Sequence, residues 1–303
     1  MPLIRVNQQD DGLALHRSPA PARVALRHAA QGGRGPVIVM VHGFKFRPYA
    51  GPDCPHDHIF AMRDGACWKA RSWPRGLGFG GGQRDEGLGL AFGWDSMGPI
   101  RQVYGRAARA GAVLADAIRA IRSAAPDRPV HAIAHSLGTR VVLQALPHLA
   151  PGDIGRIISL NGAEFAGTAR AALERGAGPA AEFIAVSGRE NAGYELLLER
   201  FVAPEQRGDR ALGRARLHGP GRVHLRLDRA AQAERLIALG YPLAPERRLV
   251  CHWSSYLRGG ALGFYAGLMR QADSLPLSLL QPVELPPERA GWTLLPMGWK
   301  ASS

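Results

Sequence analysis

Long apolar runs are missing from this chain: no stretch approaches about eighteen uninterrupted apolar residues, which excludes an ordinary membrane-spanning helix. The opening residues, MPLIRVNQQDDGLALH, lack the basic-then-apolar layout of a secretory leader, so a cytoplasmic location is expected. Cysteine is scarce. Cys54, Cys67 and Cys251 are an odd number with no CxxC pair, which suits neither a disulfide framework nor a zinc ribbon. Lysine is just as scarce, with Lys45, Lys69 and Lys300 alone, so thirty-five of the 38 basic residues are arginines. The net charge of +13 raises the possibility of a polyanionic partner, but the arginines are scattered among alanines and glycines, as biased base composition produces. The glycines between positions 76 and 89 form neither a GxGxxG turn between strand and helix nor a phosphate loop ending in Lys-Ser/Thr. No nucleotide cofactor is implied, and without a recognised nucleic-acid module no nucleic-acid partner is expected.

What is present is the composition of a folded protein, 46% hydrophobic and 21% charged. Short runs apolar on both faces read as buried strands: 37–41 (VIVMV), 88–94 (LGLAFGW), 130–134 (VHAIA), 156–161 (RIISLN) and 182–187 (EFIAVS). Between them Val103, Ala107, Leu114, Ile118 and Ile121 recur on one helical face, as do residues from Leu137 to Leu149 and from Tyr256 to Leu268. The alternation predicts an α/β fold with a mostly parallel central sheet flanked by helices. One domain is expected over residues 1–275, with a long insertion at 44–87 and a possible lid in the arginine-rich segment 203–245. A proline-rich, irregular tail is expected at 276–303.

The stretch VHAIAHSLGTRVV carries the chemistry. An apolar strand runs into Ser136 and a helical pattern begins at once, which sets the hydroxyl on a sharp turn above the carboxyl edge of the sheet. Small residues two before and two after, Ala134 and Gly138, leave that turn room. The pattern is AxSxG where GxSxG is usual. With HGF at 42–44, AHSLG at 134–138 and a late histidine, the chain resembles the α/β-hydrolase superfamily over residues 35–270. The resemblance implies a cofactor-free, metal-free serine hydrolase of the esterase or lipase kind, acting on a small-molecule acyl substrate. Ser136 would be the nucleophile and the amides of Phe44 and Leu137 the oxyanion hole, with His42, Gly43 and His135 lining the substrate site. A noncatalytic binding protein of the same fold is the alternative.

The resemblance also implies the order Ser, acid, His. His252, after LVC and before a helical pattern, is the expected base; His218 and His224 lie within the arginine-rich segment. No aspartate follows the strand EFIAVS. Glu190 is the expected acid, with its carboxylate about 2.6 to 3.2 Å from a His252 nitrogen, and Glu164, Glu195 or an arrangement through Asn191 are the other options. Cys54, His56 and His58 suggest a metal cluster that the mechanism does not need. Asp95 reads as a cap, and Trp68, Trp73, Phe79 and Phe92 read as packing under the long loop.

Overall fold

Alternation of side chains along the strands decides the layers. In β3 (Val37–Val41) the side chains of Val37, Val39 and Val41 enter one apolar core, while Ile38 and Met40 enter a second on the other face. β5 (Val130–His135) and β6 (Arg156–Leu160) divide in the same way, so both faces of the sheet are covered and the central strands read as continuous apolar runs. The computed structural model describes residues 3–246 and 248–281; the greater part of the expected irregular tail lies outside them.

The described residues form an eight-stranded sheet in the order β2-β1-β4-β3-β5-β6-β7-β8. The remaining strands are β1 (Leu3–Gln9), β2 (Gly12–Leu15), β4 (Leu88–Gly93), β7 (Glu182–Ser187) and β8 (Arg222–Arg226). All neighbours pair in parallel except the hairpin of β1 and β2. Helices α1 (Ala22–Gln31), α3 (Ile100–Ala124), α4 (Leu137–Ala145) and α5 (Ala166–Leu173) supply the first core. The second core takes α7 (Ala230–Ala238), α9 (Ala261–Arg270) and the apolar side chains of α2 (Trp73–Gly76) and α8 (Ser254–Leu257). Helix α6 (Ala192–Phe201) follows β7. Among the described residues no helix is long and apolar enough to cross a membrane.

Three strands escape the sequence pattern. β1 and β8 mix polar with apolar residues, and β8 buries only Val223 and Leu225, as an edge strand does. The segment at 203–245, read as a possible lid, contains β8 and α7, so much of it is scaffold. The helical pattern of 256–268 is broken into α8 and α9, where Gly260 takes φ 87°. Trp73, Phe79 and Phe92 are buried in the two cores, as packing requires, whereas Trp68 is exposed.

Register then places the site. Val41 pairs with both Ala134 and Phe92, and Leu160 with both His135 and Val186. The turns after β3, β4, β5, β6 and β7 therefore open together at the carboxyl edge, where open parallel sheets hold their ligands.

Candidate active site

Ser136 joins β5 directly to α4 at φ 54° and ψ −125°, a backbone conformation that costs a non-glycine residue about 1 to 3 kcal/mol. Three hydrogen bonds hold it there. Its N–H donates to the Leu160 carbonyl, and its own carbonyl accepts from the N–H groups of Thr139 and Ala163, each at 3.0 Å. Two glycines make the approach possible. A Cβ on Gly43 would stand 2.7 Å from the Cβ of Ser136, and one on Gly138 would stand 2.6 Å from the carbonyl oxygens of both Val41 and His42.

The loop after β3 is fixed from β4. His42 Nε2 accepts the N–H of Trp94 at 3.0 Å, so Nδ1 carries the proton and donates to the Gly43 carbonyl at 2.9 Å. The Trp94 indole N–H donates to the His42 carbonyl, and the two rings stack at 5.7 Å. Burial lowers the His42 pKa to about 4. With both nitrogens engaged and the side chain buried, His42 builds the loop and is not available as the substrate contact that was expected. The N–H groups of Phe44 and Leu137 find no acceptor among the described residues.

The base side is assembled from side chains. The His252 carbonyl accepts from His135 Nε2–H at 2.9 Å and from Asn161 Nδ2–H at 2.8 Å. His135 is buried, its pKa lowered to about 4 by that burial, and its ring lies 4.6 Å from that of His252. It therefore holds the loop that carries His252, where a substrate contact was expected. Tyr194 also stacks on the His252 ring, at 4.5 Å. Burial holds His252 well below the ordinary histidine value, and His135 and Lys69 push the same way. Among the described residues neither Ser136 Oγ nor His252 Nε2 has a hydrogen-bond partner, so the pair is not closed in this geometry. Such contacts often tighten only around substrate.

The expected bond from Glu190 to His252 is not formed. His252 Nδ1 meets Asn191 Oδ1 at 2.6 Å, and Asn191 Nδ2–H donates to Glu195 Oε1 at 3.0 Å. Glu190 accepts from Ser254 Oγ–H at 2.7 Å, and its backbone carbonyl accepts from Cys251 N–H at 2.9 Å. It braces the base loop on both sides of His252 without reaching the ring. Residues 189–191 form a 3-10 turn, in which successive side chains point about 120° apart, so Glu190 and Asn191 cannot both face the imidazole. Glu164 is buried elsewhere, bonded to Arg140 Nη1 at 2.7 Å, to the Phe165 N–H at 2.8 Å and to the Tyr104 hydroxyl. His224 bonds Ser187 at 2.7 Å on β8, and His218 is exposed.

The weaker sequence signals also find their places. Cys54 groups with His16 and Asp57, within 4.8 Å, and not with His56 and His58; Asp57 is already paired with Arg17 at 2.8 Å. Asp95 caps the Met97 N–H at 2.9 Å and pairs with Arg47 at 3.1 Å. In the glycine-rich stretch the amides of Gly80 and Gln83 both donate to the Glu86 carboxylate, each at 3.0 Å. Exposed Trp68 meets Trp253 edge-on at 5.7 Å, beside His252. Asn161 and Tyr194 went unnoticed in the sequence. The only hint for Asn161 is its position at the end of an apolar strand, beside Gly162.

Residues 77–265, more than half of the chain, match the family model for the alpha/beta hydrolase fold, and the chain belongs to that family. No curated protein matches the sequence. Among solved structures the chain is similar to a cutinase from Trichoderma reesei in complex with a C11Y4 phosphonate inhibitor. The identity is 14% and the TM-score 0.25, over 47% of this chain and 66%, just under two thirds, of the cutinase chain. So distant a likeness says nothing of activity.

Proposed function

We propose that the protein is a serine hydrolase that cleaves a small-molecule acyl ester through an acyl-enzyme. Ser136 Oγ attacks the carbonyl carbon while His252 Nε2 takes its proton, and the oxyanion is held by the N–H groups of Phe44 and Leu137. The tetrahedral adduct collapses, breaking the ester bond, and the alcohol leaves with the proton from Nε2–H. Water then attacks the acyl carbon, gives its proton to Nε2, and releases the acid as that proton returns to Ser136 Oγ. The observation that carries this reading is the strained Ser136 elbow, which lies beside the loop of Gly43 and leaves the amides of Phe44 and Leu137 without internal acceptors. An amide, where a carboxylate is usual, on His252 Nδ1 is what favours the alternative, a noncatalytic member of the fold. A fluorophosphonate probe decides between them: it is expected to label the wild type and not Ser136→Ala. Equal labelling of both, or of neither, overturns the hydrolase reading.

A further inference from the structure

An amide beside a catalytic imidazole poses a problem of direction. If Asn191 turned its nitrogen toward His252, Nδ1 would have to accept, the proton would sit on Nε2, and the ring would be useless as a base; a fault of that kind costs about 10⁴ in turnover. Nothing in the imidazole itself forbids the wrong orientation, because a neutral ring can donate or accept at either nitrogen. The restraint has to come from the far side of the amide.

We propose that Glu195 is a positioning residue: by accepting from Asn191 Nδ2, it fixes the amide so that Oδ1 meets His252 Nδ1–H and Nε2 is left free for the Ser136 proton. The inference rests on the reading of Ser136 and His252 as the reacting pair. Asn191 directly precedes α6 and Glu195 lies in its first turn, four residues on, so helix geometry brings their side chains to one face. Both are buried, so leaving the amide nitrogen without a partner is costly. Reversing the amide would set its oxygen against Glu195 Oε1 at 3.0 Å, two acceptors with no proton between them. The restraint belongs to the carboxylate form of Glu195, which has no proton to give; a neutral carboxyl group could donate to a reversed amide.

The carboxyl group is itself seated. A Cβ on Gly213 would stand 2.0 Å from Oε1, so a side chain there would displace the carboxyl group from this position. Burial raises the Glu195 pKa, while the Asn191 bond, Arg226 and Arg214 lower it and Glu199 raises it. The sequence His252, Asn191, Glu195 is thus a relay of direction, in which each donor faces one acceptor.

Two readouts test this, one of them independent of turnover. Nitrogen-15 NMR of the wild-type protein is expected to show His252 as the Nδ1–H tautomer, and the Nε2–H form overturns the proposal. Glu195→Ala is expected to lower kcat about 100-fold with KM nearly unchanged, and to mix the two tautomers. Unchanged kcat with an unchanged tautomer also overturns it. Asn191→Asp sets two carboxyl groups against each other and is expected to impair kcat. Adding Glu195→Gln restores a donor facing an acceptor, and the double variant is expected to recover at least about tenfold over Asn191→Asp alone. A double variant no better than that single one overturns the proposal, even where Glu195→Ala fails to fold. If the fluorophosphonate probe fails at Ser136, the hydrolase reading falls, while the tautomer still reports on Glu195 by itself.

Discussion

Around Ser136 nearly every restraint is a backbone bond or the absence of a Cβ, whereas around His252 nearly every restraint is a side chain. The elbow is pinned by the Leu160 carbonyl, by the N–H groups of Thr139 and Ala163, and by close approaches at Gly43 and Gly138. The base loop hangs on Glu190, Ser254, Asn191, Asn161 and His135. A region built from backbone tolerates no added atom but needs few particular side chains. The other tolerates small shifts but depends on each polar partner.

The comparison breaks most sharply at Gly138. A methyl group there would collide with two carbonyl oxygens, one of them on the loop that offers the Phe44 amide. Gly138→Ala is expected to cost about 1 to 3 kcal/mol in denaturant unfolding and at least about 100-fold in kcat, because the oxyanion donors shift. On the base side the effect separates. Glu190→Gln is expected to lower kcat less than about tenfold, since Glu190 does not touch the imidazole. It should cost less than about 1 kcal/mol of stability, because the amide oxygen can still accept from Ser254 while the nitrogen faces the pocket that Glu190 lines. A loss of kcat near 10⁴ without loss of stability would return Glu190 to the role the sequence suggested.

The remaining effect is on pH dependence. His42 and His135 have folded values of about 4 against an ordinary 6.5, so below 6.5 the unfolded chain binds more protons than the folded one. Stability should fall as pH drops from about 6.5 toward 4, read as a declining Tm. The acid limb of hydrolysis should lie below the ordinary histidine value, because burial keeps His252 neutral. A limb at or above 6.5 would count against the environment described for that ring.

The same contrast explains what was legible in the sequence. Ser136, the loop at 42–44 and the central strands are local patterns, in which a few neighbouring residues dictate a backbone shape. His252 was legible from its order in the chain and the helical pattern after it. The choice between Glu190 and Asn191 was not, because it depends on how a 3-10 turn faces a loop sixty residues further on. His42 and His135 were misread for a related reason: adjacency to the site along the chain does not tell which side of the loop a ring will face. β8 was hidden by its charges, since an edge strand alternates and arginine suits its open face.

One contact sets how freely the rest of the molecule can change. His135, the residue before Ser136, grips the carbonyl of His252 itself, so the two residues are registered by a short bridge and not by the 115 residues that run between them. Changes in the exposed turn at 205–208, between α6 and β8, leave that bridge untouched. Such a molecule can reshape the surroundings of its site by insertion and deletion without retuning the pair at its centre.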